Sequence, residues 1–175
     1  MAIERFGIIK FRGNGVTVVG PDLGAGQPAP EFTVHDLDWA PFKGLADTLG
    51  KVRIIASVPS LDTEVCDRET RKFNQEAAAL SKDVTILVIS MDLPFAQKRW
   101  CGAAGVDQVK VLSDHMTGEF GMQYGVLIKE ARILRRAVFV VNRVGLIVYA
   151  AYMPVLGEEP NYAEVLAAAQ AALVE

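Results

Sequence analysis

The middle of the chain alternates between short apolar runs and longer amphipathic segments. Residues 52–58 (VRIIASV) and 84–90 (VTILVIS) are almost wholly apolar and rich in β-branched side chains. Runs of this length and composition predict buried strands, since they are too short for stable helices. The segment 66–82 between them has a helical composition, with apolar residues at i, i+4 and i+7 from Phe73. The pattern therefore predicts alternating strand and helix units.

The same alternation continues towards both ends of the chain. Two short strands flank Arg-Gly-Asn-Gly near the N-terminus, which predicts a β-hairpin at about 7–20. A helix is expected to begin at Pro94, and a closing helix to follow Asn161, a residue type that favours the N-cap. The other predicted elements are strands at 32–37, 109–114, 136–142 and 146–153, a helical turn at 44–50 and a short helix at 118–126. This order predicts one α/β domain over residues 1–175, with a central mixed β-sheet flanked by helices.

Composition and charge narrow the class of protein. The chain has 51% hydrophobic and 22% charged residues, which is an ordinary balance for a globular domain. The net charge of -3 and the lack of a Lys/Arg block argue against a nucleic-acid partner. No apolar run approaches the roughly 18 residues of a membrane span, and the first 15 residues lack the apolar core of a secretory signal. We therefore expect no membrane partner and a cytoplasmic protein.

Cys66 and Cys101 are the only cysteines, and the simplest interpretation is two unrelated buried thiols. Cys66 nevertheless follows the first buried strand, at the start of the next helix, where α/β sheets usually place functional groups. A helix start favours the thiolate, which is the nucleophilic form of cysteine. The acids Asp62, Glu64 and Asp67 would disfavour the thiolate if they lay close to it. A reactive Cys66 would therefore need a cation from elsewhere in the fold.

Four arginines are candidates for that cation, although a surface charge is the simpler interpretation of each of them. Arg68 and Arg71 are local to the helix of Cys66. Arg135 and Arg136 stand at the entry to the apolar strand AVFVV, where the stem can pack but the guanidinium must find an anion.

Pro59, Thr63 and Cys66 reproduce the P-x-x-x-T-x-x-C spacing of the peroxiredoxins. The blocks RKFNQ and DLPFAQ-x-R-x-CG, the segment RRAVFVVN and the N-terminal FRGNGVTVVG are more specific than that spacing. Together they resemble the thiol peroxidase subfamily of atypical two-Cys peroxiredoxins over nearly the whole chain. The resemblance implies a thioredoxin-like fold.

The resemblance also implies a role for each matching residue. Cys66 would be the peroxidatic cysteine that becomes a sulfenic acid, and Cys101 the resolving cysteine that forms an intrachain disulfide with it. Thr63 would hydrogen-bond the thiolate and the peroxide, and Pro59 would shield the pocket from water. Arg136 would supply the missing cation, with Arg135 as the alternative if the strand register is off by one. Because the two cysteines fall on separate helices, we expect local unwinding near Cys66 or near Cys101 before a disulfide can form.

The resemblance implies a thiol-dependent peroxidase that reduces hydrogen peroxide and organic (alkyl or lipid) hydroperoxides. Its implied partners are thioredoxin as reductant and a second copy in a homodimer, and no cofactor is implied. Apolar Leu61, Val65 and Leu93 near the site favour organic hydroperoxides.

Several other functions are alternatives for these residues. A redox sensor or relay protein could use the same cysteine pair to signal peroxide. A Cys–His hydrolase or a zinc site would need His35 or His115, and neither stands in a suggestive motif. A thioredoxin-type reductase would need a C-x-x-C motif, which the chain does not contain.

Overall fold

A computed structural model describes all 175 residues and contains four α-helices and eleven strands. The helices are α1 Glu64–Ala77, α2 Pro94–Ala104, α3 Glu119–Gln123 and α4 Tyr162–Ala172. The strands are β1 Glu4–Phe11, β2 Asn14–Val19, β3 Thr33–His35, β4 Pro41–Lys43, β5 Val52–Ser57, β6 Val84–Ser90, β7 Lys110–Ser113, β8 Leu127–Ile128, β9 Ile133–Leu134, β10 Ala137–Val141 and β11 Ile147–Tyr152. A short 3-10 turn spans Ala46–Thr48. No helix combines the length and the apolar character needed to cross a membrane.

The larger sheet has seven strands in the order β11-β10-β5-β6-β7-β3-β4. Its centre, β5 to β7, is parallel, whereas β10, β11, β3 and β4 join antiparallel. The predicted mixed sheet is therefore confirmed. Every residue of β5 is buried, as expected of a strand covered on both faces.

Successive side chains of β5 enter two different cores, because neighbouring residues of a strand point to opposite faces. Ile54 and Ala56 join a core of 18 buried residues that also receives side chains from α1, α2 and α4. Ile55 joins a second core of 17 residues on the other face, with Phe120 of α3. Both cysteines belong to the first core, so α1 and α2 pack their cysteine side chains on the same face of the sheet.

The smaller sheet, in the order β1-β2-β8-β9, attaches the N-terminal hairpin to the rest of the domain. Its register pairs Val18 with Ile128. Phe11, Ile133 and Leu156 pack against its buried residues. The hairpin therefore brings Phe11 beside the loop that follows β11.

Most predicted elements are present, and the differences have local causes. The hairpin begins at Glu4 rather than near residue 7, because β1 continues past an irregularity between Phe6 and Ile9 that includes Gly7 at φ 80°. Helix α1 ends at Ala77, where bonds from Ala79 to Glu76 and from Leu80 to Ala77 tighten the chain into a turn. Asn161 is confirmed as an N-cap, with its side chain accepting from the N–H of Glu164.

Candidate active site

Cys66 is the third residue of α1, so the predicted position in the first helical turn is confirmed. Its side chain is fully buried, and its thiol is free. The N–H groups that open a helix have no acceptor within it and carry a partial positive charge. The sulfur therefore lies beside a site that favours negative charge.

The loop between β5 and α1 is fixed by one carboxylate that follows the neighbouring strand, β6. Asp92, just after β6, accepts from the Ser60 hydroxyl at 2.8 Å and from the Leu61 N–H at 2.9 Å. The Ser90 hydroxyl donates to the same carboxylate at 2.7 Å. These bonds join the carboxyl ends of the parallel strands β5 and β6, and so they set where α1 begins.

Arg136 supplies the cation beside Cys66. One guanidinium nitrogen, Nη2, lies 3.1 Å from the Cys66 Sγ, while Nε donates to the Leu156 carbonyl at 3.0 Å. Nη1 forms an ion pair with the Glu69 carboxylate. Burial by itself lowers the pKa of Arg136, but the charges of Glu69 and Cys66 more than offset this and raise it, so the guanidinium stays charged. With three of its nitrogens engaged, the guanidinium is fixed in orientation.

Arg135 points away from Cys66, because successive residues entering a strand face opposite sides. Its Nη1 lies 3.4 Å from Asp22, and its guanidinium lies 4.9 Å from the centre of the Tyr152 ring. The register of β10, in which Ala137 stands opposite Ser57, places Arg136 at the end of β5. The fold thus brings Arg136, and not Arg135, to the cysteine.

Glu69 is a buried member of this group that the sequence interpretation missed. Its side chain is fully inaccessible, and one carboxylate oxygen, Oε1, has no hydrogen-bond partner. Burial raises the pKa of Glu69 to about 7, although the charge of Arg136 acts in the opposite direction. The available signal was its position three residues after Cys66, which puts both side chains on one helix face with buried Thr70 and Phe73.

The three acids expected to oppose a thiolate do not form a cluster around it. Asp62 and Glu64 are exposed to solvent. Asp67 turns towards α2, where it accepts from the Trp100 indole N–H at 2.9 Å, and it also pairs with Arg71 at 2.9 Å. Glu69, which shares the buried face of α1 with Cys66, is paired with Arg136.

An open cavity of about 400 Å³ leads to this group. Its lining residues are Phe11, Pro59, Ser60, Thr63, Glu64, Val65, Ile133, Arg136, Leu156 and Gly157. Of the three apolar residues expected near the site, Val65 lines this cavity, whereas Leu61 lies in the core and Leu93 precedes α2.

Thr63 and Pro59 both line the cavity, but the bond expected from Thr63 to the cysteine is absent. The Thr63 hydroxyl instead donates to the Ser60 carbonyl at 2.9 Å. This bond fixes the turn that leads into α1, of which Thr63 is the N-cap residue. The hydroxyl oxygen thus stands at the helix start, on the wall of the cavity.

Cys101 lies in the last turn of α2 and is 7% exposed. Burial raises the pKa of its thiol, so this sulfur stays protonated more readily than an ordinary cysteine. It is not bonded to Cys66, and it lines a different cavity, of about 400 Å³, with Leu37, Phe42 and Val109. The two cysteines therefore share a core, but Cys101 lines a cavity, whereas the buried Cys66 lies behind Arg136, which lines the first cavity.

Comparison with known proteins relates the chain to one family. The model of the AhpC/TSA family matches residues 25–150. The chain is 51% identical over 165 residues to the thiol peroxidase of Bacillus subtilis strain 168, covering 93% of this chain and 96% of that protein. It is 50% identical over 165 residues to the thiol peroxidase of Halalkalibacterium halodurans, covering 94% of this chain and 98% of that protein.

Solved structures agree with this assignment. A peroxiredoxin-like protein from Aquifex aeolicus superposes with a TM-score of 0.86 at 40% identity, covering 98% of both chains. A thiol peroxidase from Chromobacterium violaceum superposes with a TM-score of 0.82 at 16% identity, covering 95% of this chain and 97% of that one, and supports the fold alone. The expected thioredoxin-like fold is thereby confirmed.

The chain belongs to the AhpC/TSA family and, within it, to the thiol peroxidase group of peroxiredoxins. It is a peroxiredoxin-type enzyme, a thiol-dependent peroxidase. The predicted class of protein is therefore confirmed.

Proposed function

We propose that Cys66 attacks hydrogen peroxide and organic hydroperoxides, that Cys101 resolves the product as an intrachain disulfide, and that thioredoxin recycles the enzyme. The observation that supports this most is the guanidinium of Arg136, which lies 3.1 Å from the Cys66 sulfur and forms part of an open cavity wall. A fixed cation beside a buried thiol at a helix start favours a nucleophilic thiolate.

In the first step the thiolate sulfur of Cys66 attacks one peroxide oxygen. A sulfur–oxygen bond forms, the oxygen–oxygen bond breaks, and the departing alkoxide or hydroxide takes a proton to leave as alcohol or water. The sulfur is oxidised to sulfenic acid, and the peroxide is reduced. Arg136 and the helix-start N–H groups are suitable donors to the oxygen on which negative charge develops, and the Thr63 hydroxyl could join them only by giving up its bond to the Ser60 carbonyl.

In the second step the Cys101 sulfur attacks the sulfenic sulfur of Cys66. A disulfide forms, and the sulfenic oxygen leaves as water with the proton of the Cys101 thiol. A dithiol of thioredoxin type would then return both cysteines to thiols by exchange. Such a reductant fits a cytoplasmic enzyme, since that compartment keeps thiols reduced.

The cavity supports organic hydroperoxides as substrates besides hydrogen peroxide. Phe11, Ile133 and Leu156 are contributed by three separate segments and give the cavity an apolar wall opposite the helix start. An alkyl group placed there would bury apolar surface, whereas hydrogen peroxide has none to bury.

A homodimer is part of the proposal. Phe95 in α2 is 70% exposed and packs against Trp39, with ring centres 5.1 Å apart. Leu93, two residues earlier in the sequence, is 42% exposed. An exposed apolar group of this kind suits contact with a second copy of the chain.

The test compares two serine variants in a peroxide-consumption assay with thioredoxin and its reductase. Cys66→Ser should lose turnover by roughly 10³-fold or more, because the nucleophile is gone. Cys101→Ser should reduce one equivalent of peroxide and then accumulate a sulfenic acid that dimedone traps at Cys66. Unchanged turnover in Cys66→Ser, or full turnover in Cys101→Ser, would show that the assigned cysteine roles are wrong.

A further inference from the structure

We propose that Asp67, Trp100 and Arg71 form a latch between the two cysteine-bearing helices, and that the opening of this latch limits the rate of disulfide formation. The inference rests on the proposed function, since it concerns the step in which Cys101 resolves Cys66. It assigns a regulatory role to three residues outside the peroxide-binding cavity.

The latch joins the residues adjacent to the two cysteines. Asp67 directly follows Cys66, and Trp100 directly precedes Cys101. Asp67 Oδ1 accepts from the Trp100 indole N–H at 2.9 Å, and Asp67 Oδ2 accepts from Arg71 Nε at 2.9 Å.

Arg71 extends the same contact across α2. Its Nη1 donates to the Ala104 carbonyl at 3.4 Å, and its guanidinium lies 5.6 Å from the centre of the Trp100 ring. A cation over an aromatic face at this distance is attractive. Asp67 and Arg71 thus contact both the middle and the end of α2.

The expected local unwinding before disulfide formation would disturb this arrangement, whichever helix unwinds. Successive residues of an α-helix point about 100° apart. While Cys66 points towards Arg136, its neighbour Asp67 points towards α2. A rotation or unwinding of α1 that turns the sulfur towards Cys101 therefore turns Asp67 away from Trp100. Unwinding the end of α2 instead would move Trp100 and break the same bond.

The latch also sets the lifetime of the Cys66 sulfenic acid before Cys101 can resolve it. A sulfenic acid that is not resolved can react with a second peroxide and become sulfinic acid, which is generally irreversible. A strong latch therefore prolongs the lifetime of the sulfenic acid and makes the enzyme easier to inactivate at high peroxide. A weaker latch would favour resolution over inactivation.

The experiment mixes the reduced, full-length protein with excess hydrogen peroxide in a stopped-flow fluorimeter. Trp39→Phe is used as the background, because Trp39 and Trp100 are the only tryptophans and Trp100 then reports alone. The first phase, sulfenic acid formation, should accelerate with peroxide concentration. The second phase, latch opening and disulfide formation, should not.

Asp67→Ala in this background should leave the first phase within about twofold and accelerate the second. We expect roughly a five- to tenfold acceleration, because both charged side chains are partly exposed and their pairing is screened. Trp100→Phe keeps an aromatic ring but removes the donor, and should show a similar acceleration when alkylation-quenched samples are followed by mass spectrometry. Lys72→Ala is the matched control, since its ion pair with Glu76 lies on α1 and does not reach α2.

An unchanged second phase in both Asp67→Ala and Trp100→Phe would overturn the latch, as would equal acceleration in Lys72→Ala. After a dose of peroxide that half-inactivates the parent, the latch variants should retain more activity, and a greater loss would also count against the inference. The proposed function fails separately: it is wrong if the parent itself forms no disulfide, whereas a parent disulfide with unaltered variant rates refutes the latch alone.

Discussion

The two cysteines occupy opposite ends of their helices and have opposite electrostatic surroundings. Cys66 lies in the first turn of α1 with Arg136 at its sulfur. Cys101 lies in the last turn of α2, where its carbonyl accepts from the N–H groups of Gly105 and Val106. A helix start stabilises negative charge and a helix end opposes it. Two cysteines buried in one core can therefore be given different chemistry by helix position and one arginine.

Replacing Arg136 should have the largest effect on the difference in reactivity between the two cysteines. Arg136→Gln should lower the second-order rate of Cys66 oxidation by roughly 10²- to 10³-fold, because a donor to both the thiolate and the developing oxyanion is lost. Arg135→Gln is the matched control, since Arg135 enters the same strand but contacts Asp22 and Tyr152. Competition kinetics of peroxide consumption measure both rates, and an equal loss in the two variants would contradict a specific role for Arg136.

A loss of folding in Arg136→Gln must be separated from a loss of chemistry. Removing Arg136 leaves the buried Glu69 carboxylate unpaired, which typically costs several kcal/mol, about 3–5. The double variant Arg136→Gln with Glu69→Gln should regain thermal stability while remaining slow. A double variant that regains the rate would show that Arg136 acts only by supporting the fold.

The next effect concerns Glu69, the buried carboxylate that pairs with Arg136 beside Cys66. Because its pKa is about 7 in the folded protein and ordinarily 4.5, the folded state holds this proton more tightly than the unfolded state. The protonated Glu69 therefore stabilises the folded state fully below pH 4.5, and this contribution is lost as pH rises through 7. The free energy of unfolding should therefore fall by about 3 kcal/mol more in the parent than in Glu69→Gln across that range.

Urea unfolding of the reduced protein at several pH values measures this difference. Buried Asp114, whose pKa is likewise raised to about 7 by burial, is present in both proteins and cancels in the comparison. Parallel pH profiles for the parent and Glu69→Gln would contradict the assignment.

The smallest expected effect is on substrate preference, and it tests whether the apolar wall of the cavity beside Arg136 recognises organic peroxides. Phe11→Ala should lower kcat/KM for cumene hydroperoxide about three- to tenfold and leave that for hydrogen peroxide nearly unchanged, because it removes apolar surface. Phe6→Ala is the control, since Phe6 lies on the same strand, is 74% exposed and does not line the cavity. Equal losses for both peroxides would argue against apolar recognition.

The sequence predicted those parts of the fold that have a strong local pattern. Strands β5 and β6 and the cap at Asn161 were found because uninterrupted apolar runs and capping residues are local features. Strands β8 and β9 were missed because two residues show no periodicity, and their pairing depends on the distant hairpin. Local patterns therefore recovered the larger sheet better than the smaller one.

The candidate site was predictable in its motif and unpredictable in its contacts. The choice of Arg136 over Arg135 depended on family resemblance, and the register of β10 agrees with it. Glu69 was missed because a charged residue on an amphipathic helix is usually exposed. The sequence predicts that Asp67 disfavours the thiolate, because its bond to Trp100, 33 residues away, has no local sequence signal.

The most direct test of the division between the two cysteines is the mass of the reduced protein before and after one equivalent of peroxide. We predict a loss of two hydrogen atoms in a monomeric chain, with peptide mapping that joins Cys66 to Cys101. A covalent dimer, or a stable gain of oxygen on Cys66 with Cys101 still free, would contradict the proposed pairing.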